Sequence, residues 1–252
     1  MAREFEGLTA LVTGSSNGIG AEAAVKFAEQ GATEVLVQYH RAHDEAAAVC
    51  ARVRSAGAKS EMFGADLTSN AGIDSFLSAL GTRRVDVLVN NAGSLVKRTP
   101  FLDFTPELWD QVLTLNFNSV FRITQHLLPQ MVERGRGFVV NVSSVAARNG
   151  GGIGAIAYAS SKGALSTMTK GLAREFAPKG IRINGVSPGT IDTNFHKQFS
   201  SEQMLNNVRA ATPALRLGDS AETADVILFL CSEGARFIHG QMLEVNGGFL
   251  MV

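Results

Sequence analysis

Across 252 residues the chain has only two cysteines, Cys50 and Cys231, and they stand far apart. That excludes a disulfide framework and a cysteine-based metal site, and both read as reduced thiols in apolar, helix-like stretches. An excess of charge is also missing, since Lys plus Arg and Asp plus Glu each total 23. With no net charge, no global field draws the chain to nucleic acid or to a membrane surface. The five histidines include no His-x-x-x-His pair and no companions at metal spacing, so no metal is expected. No apolar run is long enough to span a bilayer, and "MAREFEGLTALVTG" passes through two acids into a strand pattern without a signal region. The expectation is a soluble, cytoplasmic protein.

What is present is enough apolar material for a full core, 45% of the residues, with no linker rich in Pro or Ser and no internal repeat. Short apolar runs at 8–12, 35–37, 62–65, 85–89, 138–142, 181–186 and 242–245 are strand candidates. Most are near-continuously apolar, as strands covered on both faces should be. Helical patterns at 19–30, 44–56, 106–134 and 155–177 alternate with them and stop at glycine or before proline. Right-handed crossovers then predict an α/β fold, a doubly wound parallel sheet of about seven strands with helices on both faces, in a single domain over 1–252. Segment 193–218 lacks an obvious strand and is a lid candidate.

The first strand runs into "TGSSNGIG" and a helix follows at once. Gly14 permits the tight turn, Gly18 lets a phosphate approach the backbone, and Gly20 lets the helix pack against the strand. Together with Ser15, Ser16, Asn17 and Ile19 they form a dinucleotide loop, with the pyrophosphate at the helix N-terminus. The second strand, in "VLVQYHRAHDEA", ends without the acid that would hold the adenosine ribose hydroxyls. Arg41, with Ser15, Asn17 and His40, would instead pair with a 2′-phosphate. NADP(H) is therefore favoured over NAD(H), unless Arg41 is only a solvated cation. Asp66 and Leu67 suit the adenine edge, and "NNAG", including Asn91, Ala92 and Gly93, suits the middle of the cofactor. All of these lie at carboxyl ends of strands, where an open parallel sheet builds its ligand crevice.

In "AYASSKGAL", Tyr158 and Lys162 stand four residues apart on one helix face, an acid beside an ammonium among small neighbours. Ser144, after the fifth strand, can be brought back beside the tyrosine. "TGSSNGIG", "NNAG", Asn116 in "LNFNSVF", Ser144, "YASSK", "SPGTIDT" and "GQMLEVNGG" occur in the order and approximate spacing of the short-chain dehydrogenase/reductase family, which the chain resembles over essentially its whole length. The resemblance implies a Rossmann-like fold and hydride transfer between a nicotinamide and a carbonyl or secondary alcohol. Tyr158 is then the general acid or base and Ser144, with Ser143 as the alternate, a hydrogen-bond donor to the reacting oxygen. Asn116, with Asn118 as its rival, would carry a water linking Lys162 to solvent. In "SPGTIDT", Pro188 and Gly189 turn the chain, while the Ile191 backbone and Thr193 hydroxyl would bind the carboxamide. At 5 Å and an effective dielectric of 20, Lys162 would stabilise the phenolate by roughly 3 kcal/mol, about two pK units downward, with desolvation opposing.

The substrate is the least legible part. "SLVKRTPF" places Lys97 and Arg98 near the crevice, and Phe195, His196, Lys197 and Phe199 open the lid. These groups suit an acyl thioester or an anionic sugar acid. One reading is a 3-oxoacyl-thioester reductase, with Arg134, Arg136 and Lys179 meeting an acidic acyl carrier protein. The alternative is a sugar, sugar-acid or polyol dehydrogenase whose substrate meets Arg148, Asn149 and the lid. A minor third is a dinucleotide-binding regulator without catalysis. The run from Gly150 to Gly154 predicts a flexible wall before Tyr158. The family's helix contacts imply a homotetramer, with a dimer as the alternative.

Overall fold

The computed structural model describes residues 4–252, the Lys197 side chain excepted. Seven parallel strands form one sheet: β1 (Thr9–Val12), β2 (Glu34–Tyr39), β3 (Lys59–Gly64), β4 (Val87–Asn90), β5 (Gly137–Val142), β6 (Ile181–Pro188) and β7 (Met242–Val245). Their order is β3-β2-β1-β4-β5-β6-β7, so the winding reverses between β1 and β4. The helices between them are α1 (Gly18–Glu29), α2 (His43–Ser55), α3 (Asn70–Leu80), α4 (Pro106–Leu113), α5 (Ser119–Arg134), α6 (Ala146–Asn149), α7 (Ile156–Phe176), α8 (Asn194–Phe199), α9 (Glu202–Ala211) and α10 (Ser220–Cys231). Among the described residues no helix is long and apolar enough to cross a membrane.

The alternation of strand side chains explains the apolar runs. Ala10, Val12, Val35, Val37, Val87 and Val89 face one core with α1, α2 and α10. Leu11, Leu36, Leu88, Val139 and Ile183 face the other, with Ile73 and Phe76 of α3, Ile123 and Leu127 of α5 and Ala173 of α7. Both faces are covered, so central strands need no polar positions. The third strand is the exception: β3 is an edge strand with largely exposed or half-buried residues, and it begins at Lys59. Cys50 and Cys231 are both buried free thiols.

Five helices lie where the sequence reading placed none: α3, α6, α8, α9 and α10. The expected helix over 106–134 is continuous but changes winding at Thr114–Asn118, one π-helical turn between α4 and α5. Such turns insert one residue into the ladder and often mark functional sites. Here it is the turn that carries Asn116.

Candidate active site

The glycine loop between β1 and α1 is braced from two sides. Gly14 N donates to Gln38 Oε1 at 2.9 Å, and Asn91 Nδ2 donates to the carbonyls of Thr13 and Gly14, both at 2.9 Å. Gly14 adopts φ +61° and a Cβ there would come within 2.8 Å of Ala92 Cα, so only glycine fits. Gly18, φ +58°, opens α1, whose first turn has no acidic residue and whose N-cap Asn17 makes no side-chain cap bond. The free N–H groups of that turn and the helix dipole suit an anion. Gly14, Ser16, Asn17, Gly18 and Ile19 line a cleft of about 620 Å³ that runs on past Asp66, Leu67, Asn91, Ala92 and Gly93 to Pro188, Gly189, Ile191 and Thr193. These residues fit a dinucleotide in an extended pose.

Two residues of the loop build it from within. Ser15 is buried, and its Oγ donates to the Val12 carbonyl at 2.7 Å, so its hydroxyl does not face a 2′-phosphate. Gly20 packs under the loop, where a Cβ would collide with the Asn91 amide, as expected of a packing glycine. Arg41 is exposed and does not line the cleft, whereas His40 does. His40 Nε2 lies 3.6 Å from Asp66 Oδ2. Burial raises the Asp66 pKa, but hydrogen bonds from Thr68 and the charges of His40 and Arg41 outweigh it, and the net shift is downward. Sequence reasoning missed Gln38. A polar residue inside the apolar run "VLVQY" was the available signal, and its amide also donates to the carbonyls of Tyr39 and Ala65.

Tyr158 and Lys162 share one face of α7. Lys162 is buried, donates to the Val142 carbonyl at 2.8 Å, and holds Nζ 5.6 Å from the centroid of the Tyr158 ring. Ser144, just beyond β5, lines the same cleft as Tyr158 and accepts from Ala146 N at 3.1 Å. Ser143 is occupied elsewhere, with its hydroxyl donating to the Lys162 carbonyl at 3.0 Å. Asn116 is buried and Asn118 is exposed. The Asn116 amide is used within the fold: Nδ2 donates to the carbonyls of Ser94 and Val112, both at 2.8 Å, and Oδ1 accepts from Ser94 N at 3.1 Å. It clamps the 94–95 loop to the π-helical turn, so its side chain is not a free water ligand. Gly93 makes room for this group: a Cβ would stand 2.8 Å from Asn116 Oδ1 and 3.0 Å from Lys162 Nζ.

The electrostatics correct the simple Coulomb estimate. Burial pushes the Tyr158 phenol up to about 12, with the Ser144 hydroxyl acting the other way. Burial likewise pushes the Lys162 ammonium down to about 7. Desolvation acts on both partners and exceeds their mutual attraction, so the protein by itself keeps the phenol protonated at neutral pH.

The substrate end of the cleft has Ser94, Arg98, Asn149, Phe195, His196 and Met204 in its wall. The glycine run is not a loose wall. Gly151 N bonds Asn149 Oδ1 at 2.9 Å, Thr99 N bonds the Gly154 carbonyl at 3.2 Å, and Arg98 Nη1 bonds the Ile153 carbonyl at 2.6 Å. Arg148 pairs with Glu244 at 3.3 Å and is not in the cleft lining. Arg134, Arg136 and Lys179 precede β5 and β6, at the sheet edge opposite the cleft, and Arg134 is 3.4 Å from Asp86. Within one subunit they do not border the site.

Comparison with known proteins agrees with this geometry. Residues 14–250 match the family described as enoyl-(acyl carrier protein) reductase. The chain is 34% identical to the 3-oxoacyl-(acyl-carrier-protein) reductase of Aquifex aeolicus over 251 residues, 98% of this chain and 99% of that one. It is 35% identical to the Escherichia coli protein of the same name over 250 residues, 98% and 99% of the two chains. Among solved structures, the 3-oxoacyl-(acyl-carrier protein) reductase of Brucella melitensis with bound NAD superposes with a TM-score of 0.90 at 31% identity, covering 100% of this chain and 94% of that one. A gluconate 5-dehydrogenase of Burkholderia cenocepacia in complex with NADP and tartrate superposes with a TM-score of 0.87 at 31% identity, covering 98% and 96%. With glycine loop, Ser144, Tyr158 and Lys162 gathered at one cleft, the chain belongs to the short-chain dehydrogenase/reductase family, as an oxidoreductase acting on CH–OH groups.

Proposed function

We propose that the protein is a cytoplasmic, NADP(H)-preferring reductase of 3-oxoacyl thioesters. The observation that carries the reaction class is the meeting of Ser144, Tyr158 and Lys162 on one cleft wall beside the glycine loop. The curated relatives of this length and identity support the thioester. A nicotinamide bound along Gly14–Ile19, Asn91–Gly93 and Pro188–Thr193 supplies the hydride in reduction and accepts it in oxidation. Tyr158, protonated at neutral pH, donates its phenolic proton to the carbonyl oxygen as the alcohol forms. Ser144 donates a hydrogen bond to the same oxygen and orients it. Lys162, anchored by the Val142 carbonyl, puts its charge under the phenol and restores the proton. Asn116 keeps the Lys162 pocket in shape through the Ser94 loop.

The neutral amide of Gln38 at the end of β2 supports NADP(H), since no carboxylate of that strand end repels a 2′-phosphate. Arg41 at the rim adds positive charge. A second reading, a sugar-acid dehydrogenase, is favoured by the polar Ser94 and Asn149 in the cleft wall.

The test is NADPH oxidation by the purified protein with a short 3-oxoacyl thioester, against gluconate with NADP in the oxidative direction. Tyr158→Phe is expected to bind NADPH as the wild type does and to lose about 10²-fold or more in turnover, within the range of general acid–base contributions. Near wild-type rates in that variant would remove the phenol from the mechanism. Turnover of gluconate without turnover of the thioester would move the assignment to the second reading.

A further inference from the structure

Three segments distant in sequence meet at Arg98, which follows β4. Its Nε donates to the carbonyl of Phe199, the last residue of α8, at 2.9 Å. Its Nη1 donates to the Ile153 carbonyl, in the loop between Ser144 and Tyr158, at 2.6 Å. The planar guanidinium reaches both walls at once, which a point-charge ammonium does not. The glycine run makes the approach possible: Gly154 adopts φ +78°, and a Cβ there would stand 2.8 Å from Arg98 Cγ.

What the arginine holds is a short element over the reacting group. α8 has six residues, well below the roughly 12–15 at which a helix persists by itself, so tertiary contacts must fix its place. One turn before Phe199, Phe195 lays its ring 5.7 Å from the Tyr158 ring and 5.2 Å from that of Phe199. Beside it His196 bonds Ser200 Oγ at 3.0 Å through Nδ1. Burial, then the Arg98 charge, push His196 down to about 4 against the pull of Asp192, so the imidazole stays neutral next to the arginine at physiological pH.

We propose that Arg98 is a positioning residue that fastens α8 across the cleft and thereby holds Phe195 against Tyr158, tying closure of the substrate space to the proton-transfer group. This goes beyond the substrate assignment and applies to an acyl or a sugar substrate alike. Arg98 acts through the Phe199 carbonyl and Phe195; the groups facing the phenol itself are Ser144 and Lys162.

The full-length protein and Arg98→Met are compared first by hydrogen–deuterium exchange, which needs no turnover. In the variant, peptides over 193–200 are expected to exchange about tenfold faster while α7 peptides and NADPH affinity stay unchanged. On the substrate turned over in the assay above, kcat is expected to fall about tenfold with little change in KM, Arg98→Lys to recover part of it, and Phe195→Ala to act like Arg98→Met. The double variant should be no worse than the poorer single one, because both remove the same arrangement. Unchanged exchange over 193–200, additive losses, or a loss confined to KM would each overturn the proposal. Should the wild type turn over neither substrate, the exchange result still decides this point, and only the functional reading fails.

Discussion

At the scale of the residue, the site depends on groups that burial holds away from their ordinary ionisation. Lys162 sits at about 7, whereas the unfolded chain keeps a lysine near its usual 10.5. Between these values the unfolded state binds more protons than the folded one, so this group makes stability rise with pH across that window and fall as pH drops through 7. Tyr158, raised to about 12, acts in the opposite sense, but only above its ordinary value of 10. The two windows barely meet. Denaturant midpoints measured from pH 7 to about pH 9 should therefore climb more steeply in the wild type than in Lys162→Met. Equal slopes would mean that the lysine is not desolvated as its place beneath Gly93 and Val142 requires. The Ser144, Tyr158 and Lys162 set was legible in the sequence because its spacing is short-range, four residues on α7 and one loop before it. Ser15 and Asn116 each have side-chain polar atoms bonded inside the fold, and a sequence does not show which way a small polar side chain turns.

At the scale of the element, strands were easier to read than helices. Central strands bury both faces, so Val35, Leu36 and Val37 appear as one apolar run, whereas the edge strand β3 alternates and was placed late. α3 and α10 escaped although each announces its start. Ser69 Oγ accepts from Gly72 N at 3.1 Å ahead of α3, and Asp219 and Glu222 form a reciprocal capping box ahead of α10. α10 matters to the whole sheet, since Ala224, Ile227 and Leu228 pack into the core shared with α1 and α2. Asp219→Ala removes the acceptor for the Ala221 N–H, held at 2.7 Å, and should cost about 1 kcal/mol, read as a lowered denaturant midpoint at unchanged slope. No loss would show that the box is decoration on a helix fixed by packing alone. The Arg98 to Phe199 contact, in contrast, spans 101 positions and has no local signature, so only the folded chain reveals it.

At the scale of the whole molecule, the surface leaves apolar groups that one subunit does not cover. Phe121 on α5 is 46% exposed, Phe237 is 98% exposed, and Met251 and Val252 at the C-terminus are 77% and 78% exposed. Single exposed apolar residues are ordinary, but Phe121 stands on a helix whose Ile123 and Leu127 are buried, Met251 and Val252 stand side by side, and none of the three belongs to either core. A zero net charge adds no repulsion between copies. Two separate self-complementary faces generate a closed tetramer, whereas one face alone stops at a dimer. Sedimentation at micromolar concentration is accordingly expected to give four times the 26.7 kDa of the chain. Phe121→Lys, which puts a charge into the α5 contact, should reduce the particle to a dimer through the remaining face. A wild-type monomer at that concentration would overturn the assembly.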